Sequence, residues 1–115
     1  MPKLIDRPRL QAQLAAQPQP VLVEALPRKY FDDWHLPQAR HIPHDQVREL
    51  APALLPDLHA PVVVYCASDT CQNSHIAARV LEQIGYTDVA VYAGGKKDWS
   101  EAGLAVERGS IAQAA

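Results

Sequence analysis

The sequence of 115 residues is poor in cysteine, has no surplus of basic charge and lacks a long apolar run. Two cysteines cannot build the disulfide framework of a small secreted domain. A formal net charge of -2 provides no basic surface for nucleic acid. No apolar run approaches the ~18 residues that span a membrane, and no basic start precedes an apolar stretch. We therefore expect a cytoplasmic protein that binds neither membranes nor nucleic acid.

Glycine is scarce and unevenly placed. All five glycines lie at or beyond residue 85, whereas the prolines are spread over the first 61 residues. Neither a repeat nor a linker divides the chain, which is long enough for one hydrophobic core. A single domain over residues 1–115 is expected, with an ordered core at about 5–107 and a flexible tail at 108–115.

What the sequence does contain is an alternation of β-branched runs with helical patterns. The strands are expected at residues 21–25, 61–65 and 89–92. The helices are expected from Asp6 to Pro18, Pro27 to Phe31, Asp45 to Pro56, Ser74 to Gly85 and Lys96 to Ala102, with Asp6, Asp45 and Ser74 as N-caps. This alternation predicts an α/β fold, a mostly parallel central sheet with helices on both faces.

Cys66 directly follows the strongest predicted strand, and a helix is expected to begin a few residues later. Open parallel sheets bind their ligands beyond the carboxyl ends of the strands. There, a helix N-terminus and loop amides would stabilise a thiolate and cradle an anion or a sulfur chain. A buried structural cysteine is the alternative, but it fits the polar passage after Cys66 less well. That passage consists of Ala67, Ser68, Asp69, Thr70, Cys71, Gln72, Asn73 and Ser74.

Four further segments accompany this strand, cysteine, loop and helix: LVE at 22–24, WHLPQA at 34–39, VYAGGKKDW at 91–99 and AGLAV at 102–106. In this order and spacing they resemble the single-domain rhodanese family. The resemblance implies a three-layer α/β/α fold and a sulfurtransferase. In that family the loop cysteine takes a sulfane sulfur from a donor such as thiosulfate, becomes a persulfide and passes the sulfur to a nucleophile. At the matching position Cys66 is the nucleophile, and no metal or organic cofactor is needed.

The loop departs from the family pattern C-x-x-G-x-R-S. It is about two residues longer, contains neither glycine nor a basic residue, and carries Asp69. Glu24 stands where the family commonly has Asp, while Trp34 and Gln38 replace the two glycines of the G-H-I-P-G-A box. An exposed acid beside the cradle would disfavour a dianion such as thiosulfate by about 1 kcal/mol. A persulfide or polysulfide is therefore the better donor, with a thiol, small or protein-bound, as the acceptor.

Cys71, five residues after Cys66, leaves two interpretations open. It either resolves a persulfide or sulfenic acid on Cys66 by forming a disulfide, or it is a small residue packed in the loop. The first interpretation also allows a dithiol redox protein, and a non-catalytic binding module is a third reading of the chain. Whether the protein is a monomer or a homodimer is left open as well.

Two other chemistries are disfavoured. Phosphatases and arsenate reductases with wider loops need an arginine six positions after the cysteine, where this chain has Gln72, and the next arginine is Arg79. A metal site formed by Cys66, Cys71 and His75 lacks a fourth ligand.

Three polar residues are expected to support the loop. Glu24 lies near a strand end at the same sheet edge as Cys66, so it orients the loop, polarises a donor or caps the next turn. His35 is expected to fix a loop by hydrogen bonding. His75 is either solvated or assists proton movement. Lys96 is expected to be solvated, and the alternative is that it brings positive charge towards the pocket.

Overall fold

A computed structural model describes residues 2–109, so most of the tail predicted at 108–115 lies outside the described residues. Strands and helices alternate along the chain. In order they are β1 (Lys3–Ile5), α1 (Arg7–Ala15), β2 (Val21–Glu24), α2 (Arg28–Asp33), β3 (Arg40–His41), α3 (Val47–Leu54), β4 (Val62–Tyr65), α4 (Asn73–Gln83), β5 (Val89–Tyr92) and α5 (Gly95–Glu101).

The strands form one five-stranded sheet in the order β1-β5-β4-β2-β3. Every neighbouring pair is parallel. All four residues of β4 are buried, as a continuous apolar run predicts for a central strand covered on both faces. The predicted α/β fold with a parallel sheet is confirmed.

Alternate residues of β4 point into two separate cores. Val62 and Val64 pack with α3 and α4, whose buried residues include Ala51 and Leu81. On the other face, Val63 and Tyr65 pack with residues of α1, α2 and α5, namely Leu10, Phe31 and Trp99. Each large apolar side chain buried in this way contributes about 1.5–3 kcal/mol. The result is a three-layer α/β/α arrangement.

Two strands and two helix caps differ from the sequence prediction. β1 and β3 were not predicted, because strands of three and two residues show no periodicity. The predicted cap Asp45 is wrong: α3 begins at Val47 with Gln46 as its N-cap, after a turn in which Gln46 N donates to the oxygen of Pro43. The other predicted cap lies in the cysteine loop and is treated with it below. Asp6 does cap α1, since its carboxylate accepts from Arg9 N at 3.0 Å.

None of the helices within residues 2–109 is both long enough and apolar enough to cross a membrane.

Candidate active site

The loop between β4 and α4 holds both cysteines. Cys66 is 1% exposed, and its Sγ is joined to Sγ of Cys71 in a disulfide with a Cα–Cα distance of 6.4 Å. Cys71 itself is only partly buried. Between the two cysteines the chain makes a turn, in which Cys71 N donates to the oxygen of Ser68 at 3.1 Å. The hydroxyls of Ser68 and Thr70 lie 3.1 Å apart in the same turn. The disulfide assigns Cys71 a bonded partner, which the sequence left open.

Ser74 provides two polar contacts of the Cys66 sulfur, which also lies 3.5 Å from the carbonyl oxygen of Cys71. The Ser74 backbone N–H donates to Cys66 Sγ at 3.4 Å, and the Ser74 Oγ lies 3.2 Å from the same atom. The prediction that Ser74 caps α4 is wrong: the helix begins at Asn73 with Gln72 as its N-cap. Ser74 instead lies inside the first turn, 1% exposed, with its hydroxyl turned to the sulfur. In the reduced protein, both contacts would stabilise a Cys66 thiolate.

The start of α5 supports the cysteine loop through backbone hydrogen bonds. Lys96 N donates to the carbonyl of Cys66 at 2.9 Å, and Lys97 N donates to that of Ala67 at 2.8 Å. Gly95 permits this approach, because a Cβ atom there would overlap the carbonyl oxygen of Cys66, and its φ of +63° favours glycine. This support was not predicted from the sequence. The signal was present in the VYAGGKKDW segment.

A buried ion pair lies beside this support. The Glu24 carboxylate, 0% exposed, accepts from Tyr65 Oη at 2.8 Å and from Lys96 Nζ at 3.1 Å. Nζ also donates to the oxygen of Tyr30 at 2.8 Å and lies 4.6 Å from the centre of the Trp34 ring. The expectation that Lys96 is solvated is therefore wrong, because its ammonium is enclosed by these partners. Glu24 does not cap the next turn, since α2 begins after Pro27 without a side-chain cap.

Burial and pairing oppose each other in the ionisation of this cluster. Burial raises the pKa of Glu24, and the nearby Lys96 charge and the Tyr65 hydrogen bond reduce that rise. Burial lowers the pKa of Lys96, an effect that Glu24 counteracts. The pKa of Tyr65 lies well above its ordinary value because of burial and the Glu24 charge. The Glu24 carboxylate on β2 thus connects Tyr65, the last residue of β4, with Lys96 of α5. Cys66 directly follows Tyr65, and α5 is the helix that supports the loop.

His35 lies in the core, 1% exposed, and its ring stacks on that of Phe31 at 3.8 Å. Its Nδ1 lies 2.8 Å from the oxygen of Phe31. Its backbone exchanges two hydrogen bonds with Glu107, of 2.8 and 2.9 Å. The expected loop-fixing role of His35 stays a prediction. His75 is partly buried next to Ser74, and its expected role, either solvated or assisting proton movement, also stays a prediction.

The remaining loop residues form a rim in which Ser68 and Asn73 are partly buried. Asp69, Thr70 and Gln72 are exposed. Within residues 2–109, no group of three or more His, Cys, Asp or Glu side chains is placed to hold a metal ion.

A groove of about 1060 Å³ lies along β3, between the start of α2 and α3. Its lining includes Arg28, Arg40, His41 and His44, and none of the loop residues 66–74 contributes to it. Its two arginines already have partners: Arg28 pairs with Asp32 at 2.9 Å, and the Arg40 guanidinium donates to the oxygen of Leu54. The cysteine loop, not this groove, is the candidate active site.

Solved structures similar to this chain include several sulfurtransferases. A thiosulfate sulfurtransferase from Pseudomonas aeruginosa has a TM-score of 0.81 and 26% identity over 93% of this chain, which spans only 20% of that protein. A rhodanese with anions from E. coli has a TM-score of 0.66 and 28% identity, covering 77% of this chain and 98% of the other. A human single-domain sulfurtransferase has a TM-score of 0.75 and 22% identity, covering 88% of this chain and 97% of its own.

The family model of the rhodanese-like domain matches residues 7–102, most of the chain and every element from α1 to α5. With the parallel sheet and the strand–cysteine–helix junction described above, this match settles the family. The chain belongs to the rhodanese-like domain family.

Proposed function

We propose that the protein is a sulfurtransferase that carries a sulfane sulfur on Cys66 as a persulfide. The observation that carries this proposal is the Cys66 sulfur itself, at the carboxyl end of the central strand with Ser74 N–H and Oγ beside it. Family membership and the similar sulfurtransferases support the reaction class. A cytoplasmic location and a monomeric or homodimeric state remain predictions.

The reaction starts from the reduced loop. The Cys66 thiolate attacks the outer sulfur of a donor persulfide, the S–S bond of the donor breaks, and the donor leaves as a thiolate. A thiol acceptor, small or protein-bound, then attacks the outer sulfur on Cys66 and regenerates the thiolate. Both steps pass one neutral sulfur atom between thiolates, so they need no cofactor.

The charge of the loop favours a persulfide or polysulfide over thiosulfate as the donor. Asp69 is exposed on the rim, and residues 67–74 contain no Lys or Arg. The Asp69 carboxylate therefore opposes the binding of an anion by the loop amides and Ser74. The loop also has no guanidinium that could hold a dianion such as thiosulfate.

A dithiol redox protein is the second candidate function, and the disulfide between Cys66 and Cys71 is the observation that favours it. In such a protein the Cys66 and Cys71 thiols would reduce a disulfide of a partner and form the Cys66–Cys71 disulfide, or the reverse. It would take up no sulfur atom. It would require both cysteines for turnover. Sulfur transfer requires only Cys66. A non-catalytic module would require neither.

Intact mass spectrometry separates these functions. The Cys71→Ser and Cys66→Ser variants are reduced, desalted without oxygen and incubated with thiosulfate or, separately, inorganic polysulfide. We expect Cys71→Ser to gain one sulfur mass and to lose it when a thiol is added, and Cys66→Ser to gain none. Absence of the adduct in Cys71→Ser with both donors would refute sulfur transfer. Retained dithiol exchange by the parent would then identify the redox protein.

A further inference from the structure

We propose that Cys71 is a second catalytic cysteine, which attacks the Cys66 persulfide and releases its outer sulfur as hydrosulfide. The protein would then have a sulfide-releasing activity beside transfer to an acceptor. This inference rests on the proposed Cys66 persulfide. It assigns a role to the Cys71 thiol, which sulfur transfer itself does not use.

The geometry needed for the attack exists in the folded loop. The two Cα atoms are 6.4 Å apart, within the ~4.4–6.8 Å that disulfides span. Backbone hydrogen bonds fix both residues: Cys71 N donates to Ser68 and the Cys66 carbonyl accepts from Lys96 N. The Cys71 sulfur therefore reaches Cys66 Sγ in the conformation that the loop already has.

The step balances within the protein. The Cys71 thiolate attacks Sγ of the Cys66 persulfide, and the bond between Sγ and the outer sulfur breaks. The outer sulfur leaves with the electron pair of that bond and the persulfide proton, as HS⁻. The sulfane sulfur is reduced, and the two cysteines are oxidised to the disulfide. The disulfide described above is the product of this step.

Exposure decides how the disulfide is reopened. Cys66 is 1% exposed, whereas Cys71 is only partly buried. A dithiol reductant from outside therefore attacks the Cys71 sulfur, and Cys66 leaves. The departing thiolate keeps the Ser74 N–H contact at 3.4 Å, which makes Cys66 the better leaving group. A second thiol of the reductant then frees Cys71, and the loop is ready for another donor.

Charge in the loop favours loss of the product. Hydrosulfide is an anion, Asp69 is exposed on the same loop, and residues 67–74 contain no cation. The released anion is therefore repelled rather than retained.

A single-turnover experiment with thiosulfate tests the proposal. The reduced, desalted parent and the Cys71→Ser and Cys71→Ala variants receive thiosulfate without oxygen or free thiol. Released sulfite measures loading of Cys66, released sulfide measures the Cys71 step, and intact mass gives the state of the cysteines. Inorganic polysulfide, read by mass alone, serves as a second donor.

For the parent we expect one sulfide per sulfite and a final mass two hydrogens lower, without a sulfur adduct. In both Cys71 variants sulfite should still form, the sulfur adduct should persist, and sulfide should fall by about tenfold or more. Agreement between serine and alanine at position 71, with circular dichroism like the parent's, excludes misfolding as the cause.

Two results would overturn the proposal, and they differ from each other. If the parent forms sulfite but keeps the adduct as the Cys71 variants do, Cys71 does not resolve the persulfide while sulfur transfer stands. If none of the three proteins forms sulfite or an adduct with either donor, the Cys66 persulfide fails, and the release step fails with it.

Discussion

Replacing Lys96 with methionine is expected to destabilise the fold by about 3 kcal/mol at pH 8, because removing one partner of a buried ion pair strands the other charge. The partner is Glu24, which is 0% exposed and 3.1 Å from Lys96 Nζ. Methionine matches the lysine stem in length, so the packing of the stem is largely kept, whereas the Nζ contact with the Trp34 ring is lost. Among residues 2–109, only the Tyr65 hydroxyl then remains as a side-chain donor to the carboxylate.

The loss should depend on pH. Lys96 is the largest influence that lowers the pKa of Glu24, so this pKa rises further in the variant. Between the ordinary value of 4.5 and the raised pKa, the folded state binds a proton that the unfolded state has lost. Stability therefore falls as the pH rises through this window and is recovered towards pH 4.5. The deficit of Lys96→Met relative to the parent should be smallest at the acid end and largest at pH 8.

Urea unfolding followed by circular dichroism under reducing conditions measures this deficit. About 3 kcal/mol corresponds to a melting temperature lower by roughly 12 °C. Lys97→Met is the matched control: Lys97 is exposed, so its replacement should change stability by less than about 0.5 kcal/mol. Combined with Glu24→Gln, the Lys96→Met change should cost much less than it does alone, with a coupling of about 2 kcal/mol. The reasoning is refuted if Lys96→Met costs no more than Lys97→Met, or costs the same at pH 5 and pH 8.

Three further changes probe the loop. Gly95→Ala should lower the free energy of unfolding by more than about 2 kcal/mol and abolish sulfur loading, because the new Cβ overlaps the Cys66 carbonyl. The control is Gly103→Ala, where φ is +71° but the space is open, and it should cost about 1 kcal/mol. Urea unfolding compares the two variants. Ser74→Ala should slow alkylation of reduced Cys66 at pH 7 about fivefold, because the thiolate loses a hydrogen bond worth about 1 kcal/mol. Peptide mass mapping measures the alkylation rate, and an unchanged rate would contradict this prediction. Asp69→Asn should speed loading by thiosulfate about fivefold at low salt without changing the alkylation of Cys66 by uncharged iodoacetamide. Equal acceleration of both reactions would contradict the charge argument.

The centre of the site was predictable because its signals are local. The apolar run of β4 and the helical spacing after the loop both lie within about twenty residues of Cys66, and together they place the cysteine at a strand end. The backbone of Gln38, which stands in the place of a box glycine, was not predicted: it adopts φ +65°, a conformation that glycine favours.

Long-range contacts were not predictable in the same way. Glu24 lies 72 residues from Lys96, and nothing near the lysine indicates a buried partner, so a solvated lysine was the reasonable expectation. Ser74 satisfied the composition rule for a cap, but its hydroxyl contacts a sulfur eight residues away instead. The pairing of Cys66 with Cys71 depends on a loop turn that spacing does not specify.

The pairing of β1 with β5 has a consequence for how the chain is made. Lys3 is aligned with Ala90, so the N-terminal strand has no partner until the last strand has been synthesised. The support of the Cys66 carbonyl comes from α5, which follows β5 and is made later still. On the ribosome, both cysteines therefore emerge before β5 and α5, which complete the surroundings of Cys66. The enclosure of Cys66 is thus a property of the folded domain and is complete only when synthesis has passed α5.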